Sequence, residues 1–246
     1  MKALVVGGSS GIGLSIVLNL VSREEYDSVY VADKAVFPEL YSHEKVKFIW
    51  CDLSDGDYSF LSQTDDIQAL FITAGFGHLK FFQELSEEYI HNSFSVNAVA
   101  PIQIIRHFYD RLMGADDFYC AVMVSIAGRL SSPLFSVYSA TKAALSKFIE
   151  AVNVELDVQE STNRILEVSP GSMKGTGFTG GVSHPEMTAE LANEIIQRSC
   201  LREELYIPHY EDIYKAVLAR YETNAHLFGI ESYMYKKKRL DNSLLR

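Results

Sequence analysis

Cysteine, basic charge and long apolar runs are all scarce in this 246-residue chain. Its three cysteines, Cys51, Cys120 and Cys200, are far apart, odd in number and without metal-ligand spacing. They give no basis for a disulfide framework and read as thiols in a reducing compartment. Lys and Arg number 22 against 32 Asp and Glu, for a formal charge of −10. Such a balance argues against global attraction to nucleic acid or to an anionic membrane. No apolar run approaches the roughly 20 residues of a membrane span. Met1-Lys2 leads straight into Ala3-Leu4-Val5-Val6, too short an apolar stretch for a signal peptide. The cytoplasm is the expected location. The one dense basic run, Lys236-Lys237-Lys238-Arg239, reads as a solvated tail, with a contact to phosphate or to a neighbouring subunit as the alternative.

What is present is apolar content, 48% of the residues, enough for a sizeable core in one domain spanning 1–246. Short apolar or β-branched runs alternate with helical patterns, as stacked βαβ units require. Strands are expected at 2–6, 28–33, 46–50, 67–73, 118–125 and 164–168. Ala69-Leu70-Phe71-Ile72 and Ala121-Val122-Met123-Val124 are continuous rather than alternating, the mark of parallel strands buried on both faces. The fold class is therefore α/β, a Rossmann-type doubly wound parallel sheet of six to seven strands with helices on both faces. Helices are expected at 11–23, at 86–113 with Ser86 as N-cap and a break at Pro101, and at 136–158.

The chemistry-bearing residues fall at two ends of this pattern. Tyr138 and Lys142 are four apart on a predicted helix and share a face. A cation beside the phenol is expected to lower its pKa from about 10 by roughly 1–3 units, toward the range where a general acid–base works best. Ser125 lies thirteen residues before Tyr138. At the other end, Gly7-Gly8-Ser9-Ser10-Gly11-Ile12-Gly13 follows a strand and opens a helix. That placement lets backbone N–H groups and the helix N-terminus meet a diphosphate. Asp33 ends the next strand, 20 residues after Gly13, where a carboxylate can hold an adenosine ribose. It repels a 2′-phosphate, so NAD(H) is the expected cofactor, with NADP(H) as the alternative because Lys34 follows directly. No histidine pairs with cysteine or carboxylate at metal spacing, and no metal is expected.

Together these features resemble the short-chain dehydrogenase/reductase family in its compact single-domain branch. The glycine motif falls on Gly7, Gly11 and Gly13, with Ser9, Ser10 and Ile12 inside the turn. The acidic residue falls on Asp33, the adenine-flanking pair on Asp52-Leu53, and the strand-end motif on Ile72-Thr73-Ala74-Gly75. The helix asparagine falls on Asn97, the serine on Ser125, the catalytic pair on Tyr138 and Lys142, and the segment beyond the sixth strand on Pro170-Gly171 with Thr176. The resemblance covers residues 1 to about 178. It implies that Tyr138 exchanges a proton with a carbonyl or alcohol oxygen and that Ser125 hydrogen-bonds the same oxygen. Lys142 would hold the nicotinamide ribose, and Asn97 would anchor a water relaying protons to solvent. Two positions depart from the pattern, Val6 and Thr73, where the family usually has threonine and asparagine to hold the first and fourth strands around the cofactor.

Residues 172–210 take the substrate-loop position, with hinge-permitting Gly175, Gly177, Gly180 and Gly181. Met173, Phe178, Met187 and Tyr206 suit a moderately hydrophobic ketone or secondary alcohol, or else pack the loop itself. The family's equivalent helices pair across a dyad, which implies a homodimer or homotetramer. Two other functions share the fold: a non-catalytic dinucleotide sensor, and an enzyme that epimerises or dehydrates while regenerating its cofactor.

Overall fold

Seven strands form one parallel sheet in the order β3-β2-β1-β4-β5-β6-β7: β1 Lys2–Val6, β2 Ser28–Asp33, β3 Val46–Trp50, β4 Ala69–Ile72, β5 Tyr119–Met123, β6 Ile165–Val168 and β7 Leu205–Tyr206. The computed structural model describes residues 1–179 and 182–243. Gly180 and Gly181 therefore lie outside the described residues, as does the side chain of Arg239. The six expected strands are present to within two residues at each end. The seventh, two residues long, pairs Glu167 with Leu205 and Val168 with Tyr206.

The continuous apolar runs of β1, β4 and β5 put successive side chains on opposite faces, so the sheet is buried on both sides. One core joins Leu4, Leu70, Ile72 and Val122 to Ile104, Phe108, Leu145 and Ile149 of the helices on that face. The other joins Val5, Val31, Phe71 and Leu166 to Ile16, Val17 and Leu20 of α1 (Gly11–Val21) and to Ile195 and Ile196 of α6 (Ala189–Cys200). The β3 edge is less covered. Only 3₁₀ turns connect it to its neighbours, and Phe48 and Trp50 remain exposed there.

The helical run expected at 86–113 is resolved into α2 (Glu87–Phe94), a π-helical turn (Ser95–Val99), α3 (Ala100–His107) and α4 (Tyr109–Met113). Ser86 caps α2, its side chain accepting from the Tyr89 N–H. The break lies before Pro101 rather than at it. Pro101 sits in the first turn of α3, where a missing N–H costs nothing, and the widened turn ahead of it absorbs the irregularity. Helix α5 runs over Ser136–Val158, as its periodicity predicts. Beyond β7 lie a π-helical turn at Tyr210–Tyr214, α7 (Lys215–Thr223) and α8 (Ala225–Ser243).

Candidate active site

The sheet order reverses between β1 and β4, and in such sheets ligands bind in the crevice outside the carboxyl ends of the strands at that point. Both groups of predicted residues gather there. The turn after β1 needs its glycines. Gly7 has φ 86°, and a Cβ on it would stand 2.5 Å from the Ala74 N. A Cβ on Gly13 would collide with the Gly7 carbonyl oxygen and the Thr73 hydroxyl. Thr73, one of the two departures from the family pattern, supplies the pin. Its Oγ1 donates to the Val6 carbonyl at 3.0 Å and to the Gly7 carbonyl at 3.1 Å, while the Ala74 N–H donates to the Val6 carbonyl at 3.0 Å.

Asp33 closes the turn from β2, accepting from the Ser9 N–H and the Ala35 N–H, each at 3.0 Å. Helix α1 begins at Ser10 with no side-chain cap. Its first N–H groups are thus oriented for an acceptor supplied from elsewhere. One such donor, the Gly11 N–H, meets Ser183 Oγ at 2.7 Å, and Thr176 lies against Gly11, so the loop after β6 closes the outer side of the turn. Ser10 is exposed, Ile12 half-buried and Leu53 buried in the core. Asp52 accepts from the Ser54 N–H and hydroxyl, which, with Lys34 Nζ at 3.8 Å, hold its carboxyl below the usual range. Glycine turn, helix N-terminus and terminal carboxylate together fit an adenine dinucleotide.

On the other side of β4, Gly75 lies between Asn97 and Lys142: a Cβ there would be 3.2 Å from both Asn97 Oδ1 and Lys142 Nζ. Asn97 is fully buried in the π-helical turn. Its amide accepts from the Phe76 N–H at 2.9 Å and donates to the Phe76 carbonyl at 2.8 Å and to Thr141 Oγ1 at 3.2 Å. It thereby fixes the 74–77 strip along which a ligand would lie. Ser125 follows β5; its Oγ accepts from the Ala127 N–H at 3.1 Å, and the Pro170 carbonyl accepts from the Ile126 N–H at 3.0 Å. Gly171 packs against the Tyr214 hydroxyl with no room for a Cβ.

Tyr138 and Lys142 share one face of α5, with Nζ 5.9 Å from the phenol ring centre, but their electrostatics differ from the expectation. Burial pushes Tyr138 up to about 12, only partly opposed by a hydrogen bond with Ser125. Burial also lowers Lys142 to about 7. The expected lowering of the phenol by its lysine neighbour is therefore corrected. The ring is enclosed by Phe178, 5.1 Å away, and Phe135, 5.8 Å away, with Gly77 pressed against it. The ammonium donates at 2.8 Å to the Met123 carbonyl. Burial is the leading cause of both shifts.

Of the loop residues named from the sequence, Phe178 alone packs on Tyr138. Met173 joins the α1 face, Met187 is exposed, and Tyr206 lies in β7 under Arg198. The connection from Ser125 to α5 is tied to its surroundings by polar contacts. Arg129 donates to the buried Glu167 at 2.7 Å, which also accepts from Ser146 at 2.8 Å and Ser169 at 2.7 Å. Leu134 adopts a left-handed φ of 64° and accepts from the Lys80 N–H at 3.0 Å. The solvated-tail reading of the basic run also needs correction at Lys236. That side chain is half-buried, with Nζ donating to Ser132 Oγ at 2.6 Å and to the Pro133 carbonyl at 3.2 Å. Nothing within the run itself distinguishes it from Lys237 and Lys238.

The family profile described as short chain dehydrogenase matches residues 1–187, and the chain belongs to that family, whose relatives are named oxidoreductases. An uncharacterised oxidoreductase of Saccharomyces cerevisiae is 27% identical over 72% of this chain and 56% of its own length. The chain thus spans little more than half of that relative. An uncharacterised short-chain type dehydrogenase/reductase of Sinorhizobium fredii is 28% identical over 86% of this chain and 88% of its own length. Among solved structures, an alcohol dehydrogenase from the archaeon Thermococcus sibiricus, complexed with 5-hydroxy-NADP, superimposes with a TM-score of 0.68. It is 23% identical and covers 84% of this chain and 94% of its own. No helix among the described residues is long and apolar enough to cross a membrane, and no cluster of possible metal ligands occurs among them.

Proposed function

We propose that the chain is an NAD(P)-dependent oxidoreductase that interconverts a ketone or aldehyde and the corresponding alcohol, with Tyr138 as the acid–base. The observation that carries this reading is the convergence of Ser125, Tyr138, Lys142 and Asn97 around the Gly75–Gly77 strip, beside a glycine turn built for a diphosphate. Gly7, Gly11, Gly13 and the start of α1 would hold the diphosphate, Asp33 the adenosine ribose, and Asp52-Leu53 the adenine edge. Lys142, Pro170-Gly171 and Thr176 would hold the nicotinamide end. The bound nicotinamide supplies or accepts a hydride at the substrate carbon.

The protein's own part is orientation and proton transfer. A phenol held near 12 by burial stays protonated through neutral pH, so Tyr138 is poised to donate to a carbonyl oxygen that gains charge during reduction. Ser125, which opposes the upward shift of the phenol, would donate to or accept from that same oxygen and fix its position. Asp33 supports NAD(H) as the preferred cofactor, and the Lys34 ammonium lies 3.8 Å from a second carboxylate, Asp52. Exposed Phe94, Val99, Val154 and Val158 on the π-turn and on α2 and α5 support a homodimer or homotetramer.

A screen of ketones and aldehydes with NADH and NADPH at neutral pH tests the reading. Net consumption of reduced cofactor supports it, with kcat/KM higher for NADH. Dinucleotide binding without turnover of any carbonyl would replace it with a sensing role, and a tenfold NADPH advantage would reverse the cofactor assignment.

A further inference from the structure

Helix α8 lies along the connection between Ser125 and α5. Gly229 packs against Ser131, where a Cβ would be 3.5 Å from its hydroxyl. About two turns further on, Lys236 reaches inward while Lys237 and Lys238 stay exposed. The Lys236 ammonium sits 5.5 Å over the Phe135 ring centre, and that ring is 5.8 Å from the Tyr138 ring. One aromatic ring therefore separates this cation from the proposed proton donor. A half-buried ammonium is normally matched by a carboxylate. Among the described residues no carboxylate lies within ion-pair distance of Lys236, and its contacts are a hydroxyl, a carbonyl and a ring face. Two of an ammonium's three N–H donors thus have neutral acceptors. Burial, consistently, depresses this lysine to about 8. In a chain of net charge −10, Lys236 with its exposed neighbours makes a local positive spot beside Phe135.

Resting on the reductase reading, we propose that Lys236 selects the substrate: the carbonyl compound carries an acidic group, carboxylate or phosphate, separated from the carbonyl by an apolar spacer. The spacer lies against Phe135 and Phe178 while the carbonyl faces Tyr138 and the acid meets Lys236. Specificity here arises from a charge-assisted hydrogen bond at one end and proton donation at the other.

The test compares benzoylacetate, benzoylpropionate and benzoylbutyrate with their methyl esters, using reduced cofactor and the wild-type, Lys236→Met and Lys236→Arg proteins. Alongside, calorimetry on the cofactor-loaded protein measures binding of phenylpropionate and phenylbutyrate, which have no carbonyl to reduce. We expect at least one acid to exceed its ester about tenfold in kcat/KM, mainly through KM. We expect that ratio to fall to near one in Lys236→Met and to be retained in Lys236→Arg, with the aryl carboxylates binding wild type and losing about tenfold in Lys236→Met. Turnover with no acid preference, or a Lys236→Met variant that weakens acid and ester alike, would overturn the proposal and leave the reductase reading standing. Carboxylate binding that depends on Lys236 without turnover of any carbonyl would support the acid site and overturn the reductase reading instead. No carboxylate binding and no acid preference would overturn the proposal outright.

Discussion

The Phe178 ring lies 5.1 Å from the Tyr138 ring at an interplanar angle of 56°, so a side chain from the loop after β6 keeps water from the proposed acid–base. Desolvation is the leading cause of the raised phenol pKa, and removing the cover should lower it. In Phe178→Ala, the rising limb of alcohol oxidation, which needs the phenolate, should move to lower pH than in wild type. Profiles of kcat/KM against pH for the two proteins check this. Superimposable profiles would mean that the loop does not control the phenol.

Tyr138→Phe keeps the ring packing and removes only the hydroxyl. Carbonyl reduction should fall at least about 10²-fold in kcat, the usual worth of a positioned acid–base group. NADH binding, followed by fluorescence, should be nearly intact. Activity within a few-fold of wild type would remove Tyr138 from its role.

Lys142 links the site to stability. Its folded-state pKa is about 7 against the ordinary 10.5. Between those values the unfolded chain binds the proton more strongly than the folded one. Stability should therefore rise with pH through that window, the gain being complete above about 10.5 and absent below about 7. Lys142→Met should flatten the rise. Thermal melts of both proteins from pH 6 to pH 9 measure the slope, and equal slopes would show that another group carries it.

Thr73→Val tests the strand pin. It deprives the Val6 and Gly7 carbonyls of a donor at the cofactor turn, which should cost about 1–3 kcal/mol. Urea unfolding reads the loss. A raised KM for cofactor with kcat little changed should accompany it, and Thr73→Ser should restore both.

The strands, α5 and the converging site were legible because each rests on local pattern. Four-residue apolar runs mark β4 and β5, a four-residue spacing puts Tyr138 and Lys142 on one face, and glycines stand where no Cβ fits. What escaped was set by contacts across the chain. The pKa of Tyr138 depends on Phe178 and Gly77, 40 and 61 residues away in sequence, and no spacing rule reaches that far. Four consecutive basic residues look alike as a string, yet successive residues on a helix point about 100° apart, so Lys236 turns inward while its two successors face water. Thr73 departs from the family pattern, and only the geometry shows its hydroxyl serving two carbonyls.

The bare β3 edge carries a practical dividend. Trp50, the chain's only tryptophan, ends that strand directly opposite Asp33 in the sheet register and is 62% exposed. Indole emission overlaps the near-ultraviolet absorption of a dihydronicotinamide ring. Loading the protein with reduced dinucleotide should therefore quench this lone emitter by resonance energy transfer, while the oxidised form, transparent in that band, should alter it only through contact at the ribose. The chain comes with its own optical titration, free of any label.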